Sequence, residues 1–337
     1  MTSPVSAVLF GCEGLRLSDA ERRFFADANP LGFILFARNV DTPDQIRALT
    51  ADLRSSVGRA DAPILIDQEG GRVQRLRPPH WRQAPTGRVL GDLYRRDADK
   101  GLRAIWLNYR LIARELTDLG IDVDCVPCLD IPVPGAHDVI GDRAYGDDAD
   151  TVIACGRMAA QALLDGGVLP ISKHIPGHGR STADSHHDLP RVTEPLDVLE
   201  ATDFVPFKAL NGIPLGMTAH IVYDALDAEN CATQSTAVIG YIRETLGFDG
   251  LLMSDDLSMR ALGGSFADRA RTSLAAGCDL VLHCNGDMGE MTAVMDGTGP
   301  LSAAAVQRWD RAAPLRTGTG SFDPTEALDE LTALLAS

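Results

Sequence analysis

Aromatic residues make up only 5% of this sequence, and no apolar run approaches the ~20 residues needed to cross a bilayer. Basic charge is also short: 31 Lys and Arg stand against 47 Asp and Glu, a formal net charge of −16. Nucleic acids and anionic membranes select a basic face, so neither is expected as a partner. The seven cysteines (Cys12, Cys125, Cys128, Cys155, Cys231, Cys278 and Cys284) are odd in number and scattered, unlike a secreted disulfide framework. The short apolar run Val5–Phe10 lacks the basic stretch that precedes a signal peptide core. Together these features predict a cytoplasmic protein. Neither GxGxxG after the first apolar run nor GxxxxGK[ST] occurs, which removes support for nucleotide-binding folds. There is no HExxH, and no metal or cofactor is expected.

What is present is a regular alternation. Apolar runs at Val5–Phe10, Gly32–Phe36, Pro63–Ile66, Ile121–Val126, Val168–Ser172, Leu215–Ala219, Leu251–Ser254 and Asp279–Leu282 read as eight strands buried on both faces. Segments of helical spacing lie between them: Thr42–Val57, Asp97–Leu119, Ala149–Asp165, Pro195–Leu210, Ser235–Leu246 and Ser265–Ala276. Thr42-Pro43 and Gly120 are start and stop signals. No repeat, low-complexity tract or linker divides the chain, so residues 1–337 are expected to form one domain. The fold class expected is α/β, a single-domain TIM-type (β/α)8 barrel, with an open doubly wound sheet as the rival. The barrel is favoured because Asp67, Asp130, Lys173-His174, His220, Asp255 and His283-Cys284-Asn285 all fall at C-terminal strand ends, which a barrel gathers on one face.

Four segments carry candidate chemistry. Residues Lys173 to His187 hold four of the eight histidines. His174 and His178 have the spacing of a helical zinc pair, but Pro176 and Gly177 between them argue against a helix. Asp184 and His186 form an Asp-x-His unit: two apart in an extended loop, they share a face, and the carboxylate raises the basicity of the imidazole. In Leu251–Met259 a strand runs into Asp255-Asp256. Asp255 is expected to face the barrel mouth as the reactive carboxylate, with Asp256 capping the next helix or orienting its neighbour. In Ile64–Arg75, Asp67 is suited to accept from two vicinal sugar hydroxyls, against the alternative of a structural salt-bridge knot. Arg143 sits in a glycine-flanked turn. Cys125-Val126-Pro127-Cys128 has no second CxxC to complete a zinc site, so both thiols are expected to pack as small hydrophobes.

In order and spacing from Gly11 to Asn285, these segments resemble the family 3 glycoside hydrolases, specifically the β-N-acetylglucosaminidases of bacterial cell-wall recycling. The resemblance is carried by Lys173-His174-x-Pro176-Gly177-His178-Gly179 with Asp184-Ser185-His186, and by Ser254-Asp255-Asp256-Leu257-Ser258-Met259. It implies a retaining exo-glycosidase that removes terminal N-acetylglucosamine from muropeptide fragments. Asp255 would be the nucleophile, and His186 paired with Asp184 the acid/base. Asp67, Arg75, Arg143, Lys173 and His174 would grip the sugar. The chain departs from the family at Ile175, where Phe is usual, and at Cys128-Leu129-Asp130. A neutral histidine base also leaves phosphorolysis open, as is a different sugar specificity. The expected partner is a small carbohydrate; oligomeric state is left open, with a monomer as the working expectation.

Overall fold

The computed structural model describes residues 4–181 and 189–337. Eight parallel strands close a barrel: β1 Ser6–Phe10, β2 Pro30–Leu35, β3 Ile64–Ile66, β4 Val123–Asp124, β5 Leu169–Ile175, β6 Leu215–Thr218, β7 Leu251–Asp256 and β8 Leu280–His283. Each pairs with its sequence neighbours, and β1 pairs with β8 through Val8–Val281, Leu9–Leu282 and Phe10–His283. All eight apolar runs became strands. The barrel is borne out over the open sheet.

Alternation along each strand feeds two cores. Ala7, Leu9, Ile34, Leu65, Val123, Leu169, Ile171, Leu251 and Leu280 fill the barrel interior. Val8, Phe10, Phe33, Ile64 and Ile66 point outward to the helices. Both faces of the strands are therefore mainly apolar, as a sheet covered on both sides requires, with the polar residues concentrated toward the C-terminal ends. The run expected at Ile121–Val126 yields only the two-residue β4, because a tight turn with Val126 N–H donating to Asp124 O at 2.8 Å interrupts the ladder.

Helices follow most strands: α1 Asp19–Ala28, α2 Pro43–Ser56, α3 Gly87–Arg96, α4 Ala98–Thr117 and α5 Ala149–Asp165. Thr42 caps α2 by accepting from Gln45 N–H, with Pro43 in its first turn, as the sequence predicted. The helix expected at Pro195–Leu210 is instead two short helices, α6 Leu196–Ala201 and α7 Val205–Ala209. Thr202 ends the first: its hydroxyl donates to Val198 O at 2.7 Å, and Pro206 has no N–H to continue the ladder. Then come α8 Thr236–Glu244, α9 Phe266–Ala276, α10 Met288–Met295, α11 Ala303–Ala312 and α12 Pro324–Leu335. Among the described residues no helix is long and apolar enough to cross a membrane.

Candidate active site

At the C-terminal ends of the strands a cavity of about 160 Å³ is lined by Asp67, Arg75, Arg143, Lys173, His174 and Asp255, with Phe36, Met217 and Met259 among its apolar walls. These are six of the eight residues singled out from the sequence. The other two, Asp184 and His186, lie outside the described residues. A larger hollow of about 630 Å³ beside α2 contains Arg47, Arg54 and Arg59. Those arginines are engaged by Asp44, by Asp122 and by the carbonyls of Pro30 and Leu31, so that hollow offers no free cationic group.

One wall of the site is an ion-pair network. Lys173, 2% exposed, reaches Asp67 Oδ1 at 2.8 Å and Glu69 Oε1 at 2.7 Å. Arg75 donates to the other oxygen of Asp67 at 2.9 Å, and Arg143 grips Glu69 with two bonds of 2.8 and 2.9 Å. The salt-bridge knot is present, and it leaves the sugar-binding reading of Asp67 open, since a carboxylate oxygen held by one donor still has a lone pair for a hydroxyl. Burial works to raise both acids. The cations outweigh it: Arg143 and Lys173 bring Glu69 down to about 2, while Lys173 and Arg75 hold Asp67 well below the carboxylate range. Burial likewise works to lower Lys173, yet Asp67 and Glu69 hold it above its ordinary value. The wall is therefore charged at every physiological pH.

A hairpin delivers Arg75. Gln68–Gly70 pairs antiparallel with Val73–Gln74 across Gly70 and Gly71, whose φ of +100° and +54° favour glycine. Gln68 Oε1 accepts from Arg75 N–H and Leu76 N–H, both at 3.0 Å, which turns the chain back on Asp67. Arg75 also lies 5.2 Å from the Phe36 ring centroid, a cation–π contact that holds the ring in the cavity wall. Glu69, which joins Lys173 to Arg143, was not singled out from the sequence. Its signal was the Asp67-x-Glu69 spacing beside two basic residues.

The opposite side belongs to His174 and Asp130. Leu129 N–H donates to Lys173 O at 2.8 Å and clips the segment after β4 to β5. Asp130, fully buried, takes His174 Nδ1 at 2.7 Å and His178 N–H at 2.6 Å. Burial opposes its charge, but His174 and the His178 N–H hold it well below the carboxylate range. His178 is pushed down to about 4 by burial and then by the His174 ring, so it is neutral at pH 7. The Lys173–Ile175 stretch is strand, which removes the helical zinc pairing. Ile175 packs in the core at 1% exposure. Cys125 is core as expected. Cys128 is not merely packed, because its Sγ donates to Asp130 Oδ2 at 3.3 Å.

At the end of β7, Asp255 Oδ1 accepts from Asp256 N–H at 2.8 Å, which fixes the carboxylate plane. Of the two roles expected for Asp256, that bond fits the orienting one; the helix cap is a correction, since no helix starts there and Asp256 Oδ1 accepts from Ser258 N–H at 3.0 Å and Cys284 N–H at 3.1 Å. The next helix, α9, is capped by Ser265. His220 donates from Nε2 to Asp256 O at 3.0 Å and meets Thr233 Oγ1 through Nδ1 at 2.7 Å. Burial lowers its pKa, so it is a neutral prop beneath β7.

An acid at a barrel mouth beside a sugar-sized cavity lined by charged hydrogen-bonding groups is the arrangement of a glycoside hydrolase. The chain matches the family described as "Glycosyl hydrolase family 3 N terminal domain" over residues 5–309. It belongs to that family. It is 39% identical over 282 residues to a protein of Alkalilimnicola ehrlichii named "Beta-hexosaminidase", covering 82% of this chain and 80% of that one. Among solved structures, NagZ from Neisseria gonorrhoeae in complex with N-trifluoroacetyl-D-glucosamine superposes with a TM-score of 0.85 at 32% identity, covering 99% of this chain and 97% of that one. A family 3 β-N-acetylglucosaminidase from Paenibacillus sp. gives 0.85 at 30% identity; there the match covers 97% of this chain but 66% of the longer relative.

Proposed function

We propose that this chain is a retaining exo-β-N-acetylglucosaminidase acting on cell-wall muropeptide fragments of the GlcNAc-anhydro-MurNAc type. The family and the relatives named as β-hexosaminidases make it a β-N-acetylhexosaminidase. The observation that carries the site assignment is Asp255, its carboxylate held by Asp256 N–H at the wall of the cavity that also takes in Asp67, Arg75, Lys173 and His174. In this reading Asp255 attacks the anomeric carbon while His186, oriented by Asp184, gives its proton to the departing oxygen. The now neutral imidazole then takes a proton from water, whose oxygen displaces Asp255 and releases the sugar with its configuration retained. The charged wall binds the sugar hydroxyls. All seven cysteines are free and buried, which supports a reducing, cytoplasmic setting, and the near-complete coverage of the Neisseria structure supports one catalytic domain.

Aryl β-N-acetylglucosaminide and aryl β-glucoside, each with and without inorganic phosphate, test the reading together. Preferential cleavage of the acetamido substrate to free β-anomeric sugar is expected. Equal cleavage of both would remove the specificity, and sugar 1-phosphate would replace hydrolysis by phosphorolysis. A slow fluorinated sugar should leave its label on the Asp255 peptide in mass spectrometry. Inactivation without that label would favour attack by the substrate's own acetamide.

A further inference from the structure

We propose that Cys128, Asp130 and His174 form a binding site for a thiophilic divalent cation of the zinc and cadmium class, against the wall of the sugar cavity. Cys128 Sγ, an Asp130 oxygen and a His174 ring nitrogen all lie within 4.8 Å of one another. The closest pairs are already tighter: Sγ to Oδ2 is 3.3 Å and Nδ1 to Oδ2 is 2.7 Å. A tetrahedral ion with bonds of about 2.0 to 2.3 Å needs ligand atoms roughly 3.5 Å apart, so small side-chain rotations suffice. The ligands are 3%, 0% and 7% exposed, which excludes the loose solvated acids that mimic metal sites at surfaces. Their backbones are registered by the Leu129 N–H to Lys173 O bond of 2.8 Å.

Charge and softness narrow the ion. Binding releases the Cys128 thiol proton to solvent and leaves the imidazole proton on Nε2. The thiolate and the Asp130 carboxylate then cancel the dication, so the occupied site is neutral where the empty one carries the single negative charge of Asp130. Sulfur, nitrogen and one oxygen suit zinc or cadmium and not magnesium or calcium, which take oxygen shells. The Arg143 guanidinium acts on Cys128 and Asp130 through space and opposes any cation, which favours the ions that bind sulfur most strongly. His174 lines the cavity, so an ion held on its Nδ1 would sit directly behind the cavity wall. Occupation ties down His174 and replaces its hydrogen bond to Asp130 Oδ2, while Asp130 Oδ1 keeps His178 N–H. The ion would act as a reversible inhibitor that thiols and chelators remove, and not as a cofactor.

Cadmium chloride titrated into the chelator-treated full chain tests the site through the ultraviolet thiolate-to-cadmium charge-transfer band. The band should saturate at a single equivalent while turnover falls about tenfold or more. Cys128→Val should lose the band. No band in the wild type, or an unchanged band in Cys128→Val, overturns the proposal. Cadmium-soaked crystals of the wild type give an arm that depends on no variant: an anomalous peak between Cys128, Asp130 and His174 supports it. A peak only at Asp184, His186 or Asp255, or none, sinks it. These readouts do not rest on the identity of the sugar, so they stand apart from the glycosidase reading.

Discussion

Asp255 and His186 differ in what their removal should do, because in the proposed mechanism one forms a bond and the other moves a proton. Asp255→Ala should lower kcat by at least about a thousandfold on every β-N-acetylglucosaminide. His186→Ala should cost about 10²- to 10⁴-fold on substrates with poor leaving groups, and much less on activated aryl substrates that leave without a proton. Equal losses across a leaving-group series would assign His186 another role. Lys173 sits between two buried carboxylates, so Lys173→Met leaves Asp67 to Arg75 alone and Glu69 to Arg143 alone. Breaking such a buried network by removing one partner costs about 3–5 kcal/mol. Thermal unfolding should show that loss alongside a rise in KM; an unchanged melting temperature would count against the network as a structural element.

Two elements set where the site residues stand. Helix α3 approaches the loop that carries Arg143 so closely that a Cβ at Gly91 would lie 1.6 Å from Tyr145 O, and one at Gly87 would lie 2.3 Å from Arg143 O. Both obstacles are backbone, and Tyr145 is held in turn by its hydroxyl bond of 2.8 Å to Tyr109. Gly91→Ala should therefore push the Arg143 loop off Glu69, costing about 1–3 kcal/mol or more, with weakened substrate binding. Calorimetry and KM measured together check it. Strand β4 carries the other device. Asp124, fully buried under the charged wall, has its pKa pushed up to about 8 by burial, against the pull of Gln68 N–H and Lys173. The folded chain thus keeps a proton that the unfolded chain releases near about pH 3.9. Between these values the native state binds more protons, so stability falls as pH rises. Asp124→Asn removes the titration, and its stability relative to wild type should grow from about pH 5 to about pH 8 in denaturant melts. A constant difference would contradict the buried proton. Glu69 and Asp67 run the other way: their depressed values contribute stability above about pH 4 that is lost as pH falls toward 2 and below.

For the whole molecule, the chemistry proposed uses only groups of the chain itself, so prolonged treatment with strong chelators should leave turnover unchanged. Loss of activity restored by added metal would overturn that expectation. Barrel closure is what gives these distant residues a common site. Asp67, Lys173 and Asp255 lie far apart in sequence, yet each stands at the C-terminal end of a strand that begins apolar. In a closed parallel barrel every such position faces one mouth. That much was legible from strand pattern and polar placement. The motif Ser254-Asp255-Asp256 and the resemblance around Lys173–His186 then distinguished a sugar hydrolase from other barrels.

Local chemistry determined the strands, the capped start of α2 and the identity of most candidate side chains, because apolar periodicity and cap preferences act over a few residues. Partners across the fold were decided by tertiary structure. Glu69 between Lys173 and Arg143, Asp130 behind His174 and His220 beneath Asp256 are contacts between different strand ends. Even the role of Asp256 changed, from helix cap to acceptor for Ser258 and Cys284. The reason is physical: a side chain's charge state and orientation depend on what burial brings within hydrogen-bond reach, and in a barrel that neighbour comes from another βα unit.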